Sequence, residues 1–349
     1  MNMNMKRLAG VAICGGVFAA MIGAAGCTTF QEKVRTYQAV LRVEQGQRFL
    51  VEDDLESALA EFERAVKLDP RMAEAHSNIG EIYRRMGEVG KAIEAFKNAV
   101  YSNPYSFKDT FNLAQLYHLT RRLKDAVEVY LAAIDLAPEH YDSQLSLGVC
   151  YQQMGEGKLA VERFNKAVAI DPDRPHAYSN LGVVLDGQQK HYEAIAAYQA
   201  SLERDNHQPP VLVNMANTYM NQGRLKIARA TLEQAVHMDP SFAPSQEALG
   251  YCLFRLKDYD EATVAYIDAL SLDSHLAKAH VGLGSIDMIN YLSDKSRGAL
   301  RDSAVEHWHR SLELNPDQPL VRDLLDKYRM PAEDPYRAFL GVQEAESDR

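Results

Sequence analysis

Residues 141–174 read YDSQLSLGVCYQQMGEGKLAVERFNKAVAIDPDR, and this stretch decides the fold. Its eighth residue is Gly148, its twentieth Ala160, its twenty-fourth Phe164 and its twenty-seventh Ala167, with Pro172 near its end. The pattern returns every 34 residues, in units that start at 39, 73, 107, 141, 175, 209, 243 and 277. The eighth position is always small: Gly46, Gly80, Ala114, Gly148, Gly182, Ala216, Gly250, Gly284. The twentieth is always alanine, from Ala58 and Ala92 to Ala262 and, after an insertion, Ala304. Four residues later stands a ring or a leucine: Phe62, Phe96, Tyr130, Phe164, Tyr198, Leu232, Tyr266, Trp308. Pro70, Pro104, Pro138 and Pro172 keep the same count, which then passes Asn206, Pro240 and Ser274 and reaches Pro316 eight residues late. Self-similarity at such a period is the signature of a repeat architecture.

The spacing has a physical cause. Positions 4, 7, 8 and 11 fall on one face of a first helix, and 20, 24 and 27 on one face of a second. Where two helices cross closely, a small residue on one leaves room for the ring of the other. The proline ends the second helix, because it has no N–H and disfavours helical geometry in the residue before it. At the seventh position Leu181 is one of the expected core residues.

This pattern resembles the tetratricopeptide repeat over residues 39–318. The resemblance implies an all-α, right-handed α-solenoid of about eight helix-turn-helix repeats. The eight extra residues, near 290–300, either lengthen both helices of the last repeat or project as a contact. Residues 319–330 read as a capping helix with Leu320, Leu324 and Tyr328 turned inward, and 331–349 as an acidic tail in which Tyr336, Phe339 and Leu340 could dock back.

The N-terminus reads as an address. Lys6 and Arg7 precede an apolar run from Leu8 to Gly26, as in a secretory signal. The run ends Ala24-Ala25-Gly26-Cys27, which resembles the lipobox of bacterial lipoproteins, with Ala24 where that family more often has leucine. The resemblance implies a signal over 1–26, palmitate-type lipidation at Cys27, a short linker over 27–38 and, from Thr28, a place at the periplasmic face of the outer membrane. An uncleaved signal-anchor helix is the other reading, since nineteen residues just span a core of about 30 Å. The first repeat begins twelve residues after Cys27, a reach of about 40 Å if extended and about 18 Å if helical.

The 349-residue chain is 25% charged and 46% apolar, with a net charge of −10. An acidic balance speaks against nucleic acid as a partner. Four cysteines cannot form a disulfide scaffold; Cys150 and Cys252 read as small core thiols. His76 and His280 occupy a packing position, and His307 and His309, two apart on a helix, face different ways. No phosphate loop, nucleophile elbow or Cys-x-x-Cys pair occurs, so neither catalysis, a cofactor, a metal nor a small-molecule substrate is expected.

In the repeat family the first helices line a concave groove and position six looks into it. Here that position holds Asn78, Asn112, Asn180 and Asn214, whose carboxamides can pair with a peptide backbone; asparagine is also a common consensus residue there. Arg84 and Arg85 make one region of the expected groove basic, and Tyr251, Phe254, Val281, Met288 and Ile289 make another apolar. Aromatic and arginine anchors often carry interface energy. The expected function is a membrane-anchored scaffold or assembly factor of the bacterial cell envelope that binds a protein or peptide segment. The alternatives are a structural spacer and an accessory subunit of a separate envelope enzyme.

Overall fold

The computed structural model describes residues 24–328, and every element among them is helical. The expected signal peptide over 1–26 lies almost wholly outside the described residues, and so does the tail from 329 onward. The chain divides into two compact units, Met1–Ile170 and Asp171–Arg349.

In the first unit four helix pairs follow one another: α1 (Ala24–Val51) with α2 (Leu55–Leu68), α3 (Ala73–Arg85) with α4 (Val89–Ser102), α5 (Phe107–Leu119) with α6 (Leu123–Leu136), and α7 (Tyr141–Gln153) with α8 (Gly157–Ile170). The second holds α9 (Pro175–Gly187) with α10 (His191–Arg204), α11 (Pro209–Asn221) with α12 (Leu225–Met238), α13 (Ala243–Leu256) with α14 (Tyr259–Leu272), and α15 (Ala277–Ser293) with α16 (Gly298–Leu314), closed by α17 (Pro319–Tyr328). From the second repeat on, each first helix begins on the first residue of the 34-residue unit. The residues between Cys27 and the first repeat are helical, as part of α1.

The small-residue positions do what the spacing requires. A Cβ built on Gly46, Gly80 or Gly148 would stand 2.8, 2.8 and 2.5 Å from the ring of Phe62, Phe96 and Phe164 in the partner helix. Gly182, Gly250 and Gly284 meet Tyr198, Tyr266 and Trp308 in the same way. All eight alanines of the twentieth position are buried as well, as close packing of the two helices requires.

The turn between the two helices of a repeat is also repeated. The fifteenth residue is left-handed in seven units: Asp53, Gly87, Arg121, Gly155, Gln189, Gly223 and Lys257. The next amide then reaches back to the carbonyl of position eleven, as from Glu88 to Tyr83 and from Glu156 to Tyr151, both 2.9 Å. This satisfies a helix-end carbonyl that has no partner within the helix.

The eighth repeat absorbs its insertion by length. Helices α15 and α16 have 17 residues each, against 13 and 14 in a repeat such as α7–α8. Within it, His280 Nδ1 lies 3.1 Å from His307 Nδ1. Burial first, and His307 second, hold the His280 imidazolium unfavourable and its pKa below the ordinary 6.5. The unfolded chain therefore binds the proton more readily than the fold does. Stability is complete above about pH 7 and falls as the pH drops through 6.5. A melting series from pH 7.5 to 5.5 should show this loss, and a His280→Gln chain should show a shallower one; parallel curves would refute the coupling.

Two core assignments need correction. Leu181 is only partly buried, whereas Leu147 at the same position one repeat earlier is fully buried. In α17 the buried residues are Val321 and Leu325, with Leu324 and Tyr328 partly covered, while Leu320 is 76% exposed. The reason is register. Gln318 and Pro319 repeat the arrangement of Gln208 and Pro209: Gln208 Nε2 donates to Ser201 O at 3.1 Å, and Gln318 Nε2 to Ser311 O at 3.0 Å. Helix α17 is thus the start of a ninth first helix, whose third and seventh residues face inward.

Candidate functional site: an apolar cavity among the first helices

The second unit contains a cavity of about 720 Å³. One wall is α11, with Val213, Asn217, Met220 and Asn221; the floor is α13, with Glu247, Tyr251 and Phe254. Lys278, Val281 and Ser285 of α15 form the opposite wall, and Gln318 with Pro319, Leu320 and Val321 at the start of α17 closes one side. Most lining residues stand at positions 2, 5, 6, 9, 12 and 13 of their repeats. These turn away from the second helices, which is why successive first helices expose them on one surface.

Position six is empty of a side chain in the eighth repeat for a local reason. A Cβ on Gly282 would stand 2.2 Å from Cζ of Tyr266, so glycine lets the Tyr266 ring reach the cavity edge. Burial pushes the Tyr266 hydroxyl pKa up. The Glu247 carboxyl is raised too, by burial above all, with Lys278 acting in the opposite direction. The cavity therefore offers aromatic and aliphatic walls, amide groups at one side and a desolvated acid within reach of one lysine. That chemistry holds apolar side chains and a polar backbone; it has no nucleophile paired with a base.

The structure brings Tyr251, Phe254 and Val281 together here, with Tyr251 47% exposed. It removes Met288, which is 4% exposed and packs with Trp308, Val321 and Leu325 in the core. Asn180 and Asn214 are partly exposed on α9 and α11 but outside the cavity lining. In the first unit, Asn112 is partly exposed on α5, and Asn78 Nδ2 donates to Glu74 O of its own helix at 2.9 Å. Arg84 and Arg85 are exposed on α3, but their charge is engaged: Arg84 grips Glu81 through two bonds of 2.9 and 2.6 Å, and Arg85 reaches Asp53 at 2.6 Å. The basic region expected there is a set of local ion pairs. Cys27 lies in the first turn of α1, and its side chain lies outside the described residues.

Sequence reasoning missed Asn217 and Asn221, the amides that do line the cavity. They stand at positions nine and thirteen, the positions that Tyr251 and Arg85 hold in their own repeats, so the register alone could have found them. Cys150 and Cys252 are buried, and burial raises both thiol pKa values to about 11. Such thiols are inert at neutral pH. Among the described residues, no group of three or more His, Cys, Asp or Glu is placed to hold a metal.

The profile of a tetratricopeptide family, the C-terminal domain of cilia and flagella-associated protein 70, matches residues 27–282. The chain belongs to this tetratricopeptide family. No curated protein matches the sequence significantly. Among solved structures, the fold is similar to the Cut9–Hcn1 hetero-tetramer of the APC/C, with 18% identity, a TM-score of 0.57, and coverage of 83% of this chain and 56% of that one. It is also similar to a tetratricopeptide repeat protein from Parabacteroides merdae, with 18% identity, a TM-score of 0.54, and coverage of 68% and 94%. At these identities the likeness concerns the fold. A tetratricopeptide fold of this kind is a scaffold for protein–protein interaction.

Proposed function

We propose that this tetratricopeptide chain is a non-catalytic scaffold, held at a membrane of the cell envelope through lipid on Cys27, that grips a segment of a protein partner in the cavity of its second unit. The single observation that carries the binding reading is the cavity itself. Its walls converge from three first helices and α17, and Val213, Tyr251, Phe254 and Val281 make it largely apolar. A bound segment would bury an aromatic or aliphatic side chain against Tyr251 and Phe254. Asn217 and Asn221 would take its backbone groups, and Asn180 and Asn214 would extend that contact along α9 and α11. The lipobox-like end at Cys27 supports the anchor, and the acidic chain argues against nucleic acid.

A photo-cross-linking residue placed at Tyr251 should capture a partner from detergent-solubilised envelopes, whereas the same residue at exposed Tyr192 on α10 should not. Val281→Asp should weaken that capture about tenfold or more, the loss expected when a central apolar contact is removed. Adducts at Tyr192 alone, or capture unchanged by Val281→Asp, would move the interaction away from the cavity.

A further inference from the structure

Helix α1 carries apolar residues on a face that is exposed among the described residues. Phe30, Val34, Tyr37 and Leu41 are 66, 39, 64 and 44% exposed. They are spaced four, three and four apart, which makes one stripe along a helix. Ala39, Val43 and Gly46, the residues that α1 buries against α2, lie on the opposite face at about 100° per residue. In the later repeats of this unit each first helix packs on the second helix before it. Among the described residues α1 has no such predecessor.

Only the last residue of the stripe, Leu41, belongs to the first repeat, at the third position, which later first helices bury, as at Ala75, Asp109 and Ser143. The stripe stops inside that repeat, where Gln45 and Arg48 take its next positions, so Phe30, Val34 and Tyr37 lie ahead of any repeat-packing position.

We propose that α1 lies along a bilayer surface on this stripe, with anionic lipid headgroups as its partner. The proposal deepens the membrane reading above and rests on it. Charge favours that occupant: besides Arg42, which pairs with Glu61 of α2 at 3.0 Å, α1 carries Lys33, Arg35 and Arg48 against Glu32 and Glu44, in a chain whose net charge is −10. Apolar stripes flanked by Lys and Arg sink roughly 5–10 Å into the boundary between headgroups and acyl chains. A second copy is a poorer fit. From Phe30 to Leu41 the stripe runs only about 17 Å, under two heptads, which is short for a coiled-coil seam, and pairing would set these basic side chains against their own kind. Cys27 precedes Phe30 by three residues in the same helix, so a lipid on it would hold the stripe beside the bilayer. The anchor would then fix where the chain is held, and the stripe how it is oriented.

The test uses the full chain with Cys14→Ser and Cys27→Ser. Cys150 and Cys252 are fully buried, so a fluorophore goes only to a cysteine introduced at Tyr37, on the stripe, or at Thr36, away from it. The chain is mixed with phosphatidylethanolamine–phosphatidylglycerol vesicles containing a doxyl-lipid quencher. Quenching at Tyr37 should exceed that at Thr36 by about threefold, as face-on insertion requires. Equal quenching at both positions, or none, in a chain that floats with the vesicles would overturn the proposal, and so would a chain that does not bind them. Concentration-dependent self-association without vesicles that shields Tyr37 would instead assign the stripe to a second copy. The anchor is read separately: a Cys27→Ser chain retained in envelopes like the wild type would sink lipidation, whatever the quenching shows.

Discussion

Phe164→Ala is expected to destabilise the first unit by about 3–5 kcal/mol, the cost of emptying a large aromatic site in a packed core. Phe164 is fully buried in α8, and a Cβ on Gly148 of α7 would come within 2.5 Å of its ring. That closeness gives a sharper test than truncation alone. Gly148→Ala should by itself cost about 1–3 kcal/mol by overpacking, because the ring has no free space into which to withdraw. Pairing it with Phe164→Leu should return part of this loss, so the two changes should be non-additive by roughly 0.5–3 kcal/mol. Repeat arrays gain stability from each unit and its neighbours, so hydrogen exchange of the α7 and α8 amides is the proper readout. Additive costs would mean that the two helices do not cross where the 34-residue spacing places them.

That spacing made most of the fold legible. Position eight against position twenty-four is a relation inside one repeat, so it can be read from a single chain without knowing how repeats stack. Glycine opposite a ring at Gly46 and Phe62, and again at Gly284 and Trp308, is such a relation. Leu181, Met288 and Leu320 depend on neighbouring elements, and there the reading failed. Leu181 has the azimuth of fully buried Leu147 but less cover. Met288 stands at position twelve, where Met220 and Phe254 line the cavity, yet α17 covers it. Leu320 was assigned inward by treating α17 as a free amphipathic helix; its Gln318–Pro319 start shows that the repeat register continues into it. The cavity was legible as a set of positions. Its occupants were legible where they are large, as at Tyr251, and were passed over where they are amides, as at Asn217 and Asn221. The exposed stripe of α1 was not seen, because Phe30, Val34 and Tyr37 precede the first repeat and no periodic partner marks them.

Helix α17 should act as the lid of the last core, and Val321→Asp with Leu325→Asp should remove it. Both residues are 5% exposed and pack with Met288 and Trp308. Placing two carboxylates there forfeits on the order of 3 kcal/mol of apolar burial and adds the cost of desolvating charge, so undocking of ten residues is the cheaper response. The chain has one tryptophan, Trp308, which is 1% exposed. Its buried Nε1 has no hydrogen-bond partner among the described residues. Water reaching that N–H should shift its emission to longer wavelength, while the helix content falls only by the share of α17. An unshifted emission in a folded double variant would show that α17 does not cover this core. Because Gln318–Val321 also form one side of the cavity, the same variant should capture less partner at Tyr251. A chain that loses the lid and keeps the partner would place the grip on α11, α13 and α15 alone.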